Sequence, residues 1–349
     1  MNSEDGARVL ITGGAGFIGA QTAKAIAERG LTPVVFDNLS SGHRDAVLWG
    51  DFVEGDIRDG VALAETFQRY RPAAVVHFAS LIEVGRSITR PDLFYDHNVT
   101  GTATLLSAMR DAATPRIIFS SSAAVYGQQP STGAIAESAP KDPASPYGDT
   151  KLACERMIAA HCQAFGMTGV ALRYFNAAGS DPEGRIGEAH QPETHLIPLA
   201  IDAALGFGPP LTVFGTDFET PDGSCLRDYV HVDDLAQAHV QALDLDRPEG
   251  RFEAFNVGTG RGHSVLEVLR AVERATGRPV PHQIGPRRPG DPASLVAAPE
   301  KACEQLGWAA RRSDLESIVA DALRWRSNPR YGRKGTLKRY SVATPPPLD

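Results

Sequence analysis

The stretch RVLITGGAGFIGAQTAKAIAERG, Arg8 to Gly30, decides the fold. It reads as a buried apolar strand over Val9 to Ile11, a glycine turn, and a helix that opens near Phe17 and stops at Gly30. Gly13 and Gly14 permit a sharp turn. Gly16 removes a side chain where a pyrophosphate would approach the helix N-terminus, and Gly19 lets that helix pack closely on the strand. The spacing fits Gly-x-Gly-x-x-Gly through Gly14, Gly16 and Gly19, and Gly-x-x-Gly-x-x-Gly through Gly13, Gly16 and Gly19. A second strand pattern, Thr32 to Phe36, ends at Asp37, which lies 21 residues beyond Gly16. A carboxylate there accepts hydrogen bonds from an adenosine ribose and repels a 2′-phosphate, so the pattern predicts NAD rather than NADP.

The alternation continues outward. DFVEGD reads as a strand with Asp56 at its end, followed by a helical segment from Gly60 to Tyr70. Then come an apolar run from Ala73 to Ala79, a long helical pattern from Asp92 to Ala112, and RIIFSSS at Arg116 to Ser122. Strand, helix and strand in succession predict a parallel sheet covered on both faces, a Rossmann-type doubly wound α/β fold. Ligands on such a sheet sit outside the carboxyl ends of the strands, where Asp37, Asp56, Ala79 and Ser122 fall. A loop from Tyr126 to Pro146 leads to a helix from Tyr147 to Phe165 and the strand GVALRYFN. From Asn176 the sequence is rich in glycine, proline and charge. We therefore expect an NAD-binding domain over 1–176, rejoined by segments near 230–275, and a smaller C-terminal α/β substrate-binding domain over 177–326. We also expect a basic, partly ordered tail over 327–349.

The chain is long enough to bury a substantial core. Its net charge of −7 argues against general nucleic-acid binding. No apolar run approaches the roughly 20 residues of a membrane span, and MNSEDGA is polar and acidic, unlike a signal peptide, so we expect a cytoplasmic protein. Cys154, Cys162, Cys225 and Cys303 have no metal-ligand spacing, and no metal is expected.

Chemistry enters with YGDTK. Tyr147 and Lys151 are four residues apart, so a helix presents both on one face. A nearby ammonium makes a phenol easier to ionise, as would a nicotinamide cation, which makes Tyr147 a candidate general base. Ser122, at a strand end on the same side, can share a hydrogen bond with a substrate hydroxyl. Together with a dinucleotide fold, the trio implies removal of a proton from a carbinol while its hydride goes to NAD.

With these residues in view, the chain resembles the extended short-chain dehydrogenase/reductase family, and within it the 4-epimerases of UDP-hexoses. The similarity is carried by TGGAGFIG, DNL (Asp37 to Leu39), GDIRD, HFAS, SSSAAVYG, PYGDTK, LRYFNAAG, THLIP, VFGTDFETPDGSCLRDYVHVDDLA, NVGTG, RRPGD and LGW, from about Arg8 to Arg326. It implies a reversible isomerase: Tyr147 takes the proton from the sugar 4-hydroxyl, a 4-keto sugar forms and turns over, and hydride returns to its opposite face. UDP-glucose and UDP-galactose interconvert, and NAD stays tightly bound. The resemblance assigns cofactor contacts to Gly13, Gly16, Phe17, Ile18, Gly19, Asp37, Asn38, Leu39, Ser41, Gly42, Asp56 and Ile57. It extends them to Phe78, Ala79, Ser80, Leu81, His97, Ser122, Tyr147, Lys151 and Phe175.

On the substrate side it implies Ser122, Tyr147, Asn176, His195, Leu196, Thr212, Val213, Phe214, Arg227, Arg288, Asp291 and Leu295. Asn176, Arg227 and Arg288 would meet the diphosphate and ribose, and Asp291 the uridine ribose. Guanidinium forks suit phosphate oxygens. If the hexose must turn over, binding energy has to come from the nucleotide. A homodimer through the helices Asp92 to Ala112 and Tyr147 to Phe165 is also implied.

Departures from the family pattern are Ile82 where some members carry lysine, His97 for a frequent asparagine, Ala124 for threonine, and Leu295 at the gate of the sugar pocket. Leucine is intermediate in size, which leaves UDP-N-acetylhexosamines, and also UDP-pentoses, open as alternative substrates. Ala123 and Ala124 after Ser122 supply no acid, which disfavours dehydratase chemistry. Retention of Ser122, Tyr147 and Lys151 disfavours a silent NAD-binding scaffold.

Overall fold

A computed structural model describes residues 6–128, 133–288 and 291–332. Six strands, β1 (Arg8–Thr12), β2 (Thr32–Asp37), β3 (Asp51–Glu54), β4 (Ala74–His77), β5 (Arg116–Ser122) and β6 (Thr168–Tyr174), enter one sheet. The chain then forms β7 (Asn176–Ala178), β8 (Leu211–Phe214), β9 (Leu226–His231) and β10 (Phe252–Val257). The large sheet has seven strands in the order β10-β6-β5-β4-β1-β2-β3, every pairing parallel. The order reverses between β1 and β4, which opens a crevice at their carboxyl ends for a dinucleotide. β10 returns from late in the chain to the edge beside β6, so the sheet is not made by the first half alone.

Alternate residues of β1 face opposite sides, as strand geometry requires. Val9 and Ile11 join a core with Ala23, Ile26, Leu235 and Trp308, whereas Leu10 joins Phe36, Leu63, Phe67, Leu105 and Ile158 on the other face. Both faces are thus closed by helices, and β1 can be apolar from Val9 to Ile11. Trp308 donates from Nε1 to the Asp234 carbonyl at 2.8 Å, so its burial leaves no open donor.

The remaining strands are β11 (Gly262–Ser264), β12 (His282–Gly285) and β13 (Ser294–Leu295). β9 pairs with β7, β11 and β13, and β8 pairs with β12. A third core, with Ile197, Ile201, Leu269, Val272, Ile318 and Val319, ties the helices Leu196–Leu205, Val265–Thr276 and Leu315–Ser327 to this region. The Val265–Thr276 helix starts with a capping box between Ser264 and Glu267.

Two elements differ from the sequence pattern. The helical run from Asp92 to Ala112 is broken into Pro91–Phe94, a wider π-helical turn over Tyr95–Thr100, and Gly101–Asp111. That turn carries Asn98, whose side chain bonds Leu81 and Thr150. The strand GVALRYFN divides at Phe175, β6 staying in the large sheet and β7 pairing with β9. Of the tail over 327–349, residues 333–349, including Arg333, Lys334, Lys338 and Arg339, lie outside the described residues. Among the described residues no helix is long and apolar enough to cross a membrane, and the four cysteines are free thiols.

Candidate active site

The glycine turn is held by backbone contacts that leave no room for side chains. Gly13 has φ +73° and donates to the Phe36 carbonyl at 2.8 Å. A Cβ on Gly13 would lie 2.6 Å from the Ala79 nitrogen, and one on Gly19 would lie 2.4 Å from the Gly13 carbonyl oxygen. The helix Phe17–Glu28 begins after Gly16 with no side-chain cap, so its first amides are open to an anion. Phe17 and Ile18 lie in its first turn.

Asp37 closes this cradle at the end of β2. Its Oδ2 accepts from the Ala15 amide at 3.0 Å and its Oδ1 from the Leu39 amide at 2.8 Å. Burial raises its carboxyl above the usual range, against the opposing effect of those two amides. The loop through Ser41 and Gly42 lies on the turn, His43 donating its amide to the Ala15 carbonyl at 2.9 Å. Asn38 donates to Asp56 at 2.9 Å, and Arg58 grips both Asp56 oxygens, which keeps that carboxyl well below the ordinary range. Ile57 is buried against Gly101, and His97 lies on the π-helical turn, in the field of Arg58 and Asp56.

After β4, Phe78 and Ala79 donate their amides to the Thr12 carbonyl, and Leu81 donates its amide to Asn98 Oδ1 at 2.8 Å. The Asn98 amide nitrogen donates to the Leu81 carbonyl at 3.1 Å and to Thr150 Oγ1 at 3.0 Å. Asn98 thus clamps the cofactor-side loop to the helix Pro146–Phe165. Sequence reasoning missed it, because its two partners are distant in the chain and no local pattern marks it.

That helix carries Tyr147 and Lys151. Its N-cap Ser145 accepts from the Gly148 amide, and Pro146 suits the first helical position. Lys151 is buried, and its Nζ donates to Ser80 Oγ and to the Ser120 carbonyl, each at 2.8 Å. Burial lowers its ammonium to about 8. Ser122 ends β5, accepts from the Ala124 amide at 3.1 Å, and is hydrogen-bonded to Tyr147. The trio therefore stands at one sheet edge.

One electrostatic expectation is corrected. In the protein alone the Tyr147 phenol is raised, not lowered, because burial outweighs the hydrogen bond to Ser122. Lys151 Nζ is 5.8 Å from the Tyr147 ring centre, and two of its three donors point to Ser80 and Ser120. Below the trio, Ser121 donates to Glu155 at 2.6 Å, and Glu155 forms a buried two-bond pair with Arg173. Arg173 also donates to the Tyr126 hydroxyl at 2.8 Å.

The other candidates lie in the second region. Leu295 and Phe175 both pack against the cluster of Ala123, Val125, Tyr126 and Leu152, which joins β13 to the residues that follow Ser122. Arg227 is in register with Leu295 and pairs with Asp291 at 3.3 Å, while donating to the Pro292 carbonyl at 3.0 Å. Asn176 is in register with Tyr229, two residues along β9 from Arg227. Arg288 stacks over Phe214 at 4.1 Å, on the strand that also holds Thr212 and buried Val213.

His195 and Leu196 stand at the start of the helix Leu196–Leu205. His195 Nδ1 lies 2.6 Å from Glu188 and 3.1 Å from Glu193, and the Glu188 charge holds its imidazole well above the ordinary range. Its Nδ1 edge thus faces these two glutamates. A cleft of about 1120 Å³ lined by Val9, Ala74, Pro115 and Arg116 opens at the amino ends of the strands, the edge opposite Ser122, and is separate from this site.

A cradle that excludes Cβ atoms, uncapped amides and a buried carboxylate fit an adenine dinucleotide. Comparison with known proteins agrees. The model of the NAD dependent epimerase/dehydratase family matches residues 9–258. A UDP-glucose 4-epimerase of Rhizobium leguminosarum bv. trifolii is 50% identical over 320 residues, covering 92% of this chain and 97% of that protein. The crystal structure of UDP-glucose 4-epimerase from Brucella ovis in complex with NAD has 51% identity and a TM-score of 0.88, covering 91% of this chain and 97% of that one. That of the Bifidobacterium longum enzyme with NAD+ and UDP has 37% identity and a TM-score of 0.88, with 94% and 100% covered.

Proposed function

The chain belongs to the NAD dependent epimerase/dehydratase family, and from that premise we propose that it interconverts UDP-glucose and UDP-galactose by inverting C4. It is an NAD-dependent isomerase. The observation that carries the reading is the buried Tyr147, bonded to Ser122, with Lys151 fixed one helical turn away at the carboxyl edge of the sheet.

Gly13, Gly16, Gly19 and Asp37 would hold the adenosine and pyrophosphate end of the cofactor, and Ser80, Leu81, Tyr147 and Lys151 would hold its other end. When bound, NAD supplies a reversible acceptor for the C4 hydride and a positive charge that favours the Tyr147 phenolate. Tyr147 removes the proton from the 4-hydroxyl and later returns it. Ser122 shares a hydrogen bond with the same oxygen and keeps it in line. Lys151 fixes the edge through Ser80 and Ser120 and contributes positive charge.

Arg227, Arg288, Asn176 and Asp291 grip the nucleotide, so that the 4-keto hexose can turn over without losing its anchor. The pairing of Arg227 with Asp291 supports this role, since the two bring a phosphate donor and a ribose acceptor together. Residues 1–176, rejoined by segments near 230–275, would hold NAD, and 177–326 would mainly hold the UDP-sugar.

Two finer readings accompany it. Exposed Tyr95 and Phe165, on the segments Asp92 to Ala112 and Tyr147 to Phe165, support a homodimer through those two helices. Light scattering should then give roughly twice the 37.3 kDa chain mass, and a monomer at micromolar protein would remove the dimer. Four unpaired thiols support a cytoplasmic setting. The function itself is tested by incubating the purified protein with UDP-galactose and no added cofactor. UDP-glucose should accumulate to an equilibrium mixture, and no conversion would refute the reading.

A further inference from the structure

Among the described residues, one cluster of metal-ligating side chains stands outside the catalytic trio. Glu188, His190, Glu193 and His195 each offer one donor atom, and all four atoms lie within 4.8 Å of one another. Glu188 Oε1 is 2.6 Å from His195 Nδ1 and 3.1 Å from His190 Nδ1, and Glu193 Oε1 is 3.1 Å from His195 Nδ1. The donors come from eight consecutive residues, EAHQPETH.

We propose that these four residues form a binding site for a divalent transition-metal cation, with zinc as the best match. Two imidazole nitrogens and two carboxylate oxygens form a donor set that suits zinc and not magnesium or calcium, which take oxygen. At zinc–nitrogen and zinc–oxygen distances of about 2.0–2.2 Å, a tetrahedron has edges of roughly 3.3–3.5 Å. The two contacts at 3.1 Å need to open by only a few tenths of an ångström to reach such an edge, the one at 2.6 Å by roughly 0.7–0.9 Å, and the remaining donor pairs already lie within 4.8 Å. A cation at the centre would replace the shared protons with metal–ligand bonds.

Glu193 has a side chain only 8% exposed, and its Oε2 is buried with no hydrogen-bond partner, Arg326 lying 3.8 Å away. Arg326 is the ion-pair partner of that oxygen, and the carboxylate's Oε1, 3.1 Å from His195 Nδ1, is the one on the side of the cluster.

The backbone of the segment is fixed from outside. Trp325 Nε1 donates to the Glu188 carbonyl at 2.9 Å, and His43 Nε2 contacts the Ala189 carbonyl at 3.0 Å. Glu193 Oε1 accepts from the Thr194 and His195 amides at 2.9 and 3.0 Å, which orients that carboxylate. Such supporting contacts are what a metal site needs to keep its geometry. The cluster uses His195 Nδ1 and leaves Nε2 out of it. An ion here would pin the start of the Leu196–Leu205 helix and, through His43, the loop beside the cofactor cradle. It would be a structural cation, with no part in the chemistry at C4.

The test uses the full chain, dialysed against chelator and then titrated with zinc in a calorimeter, with cobalt as a spectroscopic probe. About one zinc per chain is expected, and cobalt should give the intense visible bands of four-coordinate geometry. His190→Ala should weaken zinc binding roughly tenfold or more, as should Glu188→Gln, while His282→Ala on β12 should leave it unchanged. Zinc should also raise the melting temperature of the unsubstituted protein and not that of His190→Ala. Absence of stoichiometric zinc in the unsubstituted chain would overturn the site. So would binding that survives both His190→Ala and Glu188→Gln.

Discussion

Lys151 donates from Nζ to the hydroxyl of Ser80, 71 residues earlier in the chain, at 2.8 Å. The bond ties the helix that carries Tyr147 to the loop that follows β4. Its companion is the bond from the same Nζ to the Ser120 carbonyl. A hydrogen bond to a charged group contributes about 1.5–3 kcal/mol, and each 1.4 kcal/mol is tenfold in rate if fully felt in the transition state. Ser80→Ala should therefore lower kcat about tenfold while the protein still folds and retains NAD. Steady-state kinetics with cofactor quantified in the same sample checks it, and an unchanged kcat would mean that Lys151 does not need this bond.

Tyr147→Phe removes only the hydroxyl from a buried ring. General acid–base catalysis contributes typically about 10²–10⁴-fold, so kcat should fall by that factor while bound NAD is unchanged. The protein's absorbance and mass after denaturation report the cofactor. Turnover at the original rate would remove Tyr147 from the mechanism.

How much of the fold and site was legible in the sequence depended on how local the cause was. β1, the glycine turn and Asp37 form one short-range unit whose periodicity and residue types fit little besides a dinucleotide cradle, and the doubly wound fold followed from repeating the strand–helix alternation. That Ser122, Tyr147 and Lys151 meet at one sheet edge was legible because Tyr147 and Lys151 share a helix face and Ser122 closes a strand. Asn98 and the Glu155–Arg173 pair were not, since their roles arise from contacts across the sheet. The raised Tyr147 phenol was hidden for the same reason: spacing reveals a neighbouring charge but not the burial that outweighs it. The two glutamates and two histidines in EAHQPETH were in plain view, yet only the folded loop turns their donors toward one point.

Burial of Lys151 predicts a stability signature. Its ammonium is held down to about 8 in the folded chain, against about 10.4 when unfolded. Below pH 8 both states carry the proton, and the cost of the buried charge is fully present. Between about pH 8 and 10.4 the unfolded chain binds more protons, so this group's contribution makes stability rise with pH, by about 3 kcal/mol in all. Chemical denaturation of the unsubstituted protein and Lys151→Met across that range should give curves that converge or cross in that direction. Parallel curves would show that Lys151 is not held low.

Gly19→Ala tests the cradle. Its Cβ would lie 2.4 Å from the Gly13 carbonyl oxygen and 2.8 Å from the Gly14 Cα, both backbone. The turn must shift to admit it, so purified Gly19→Ala should carry much less NAD, with overpacking costing about 1–3 kcal/mol of stability. Full cofactor occupancy would mean that the turn tolerates a side chain there.

At the centre of the mechanism, the hydrogen removed from C4 is held within the site and returned to the same carbon. Turnover of UDP-galactose deuterated at C4, followed by NMR or mass spectrometry of the UDP-glucose formed, tests this most directly. Deuterium should be retained at C4 throughout the approach to equilibrium, in water and without added cofactor. Loss of the label to solvent during epimerisation would contradict it.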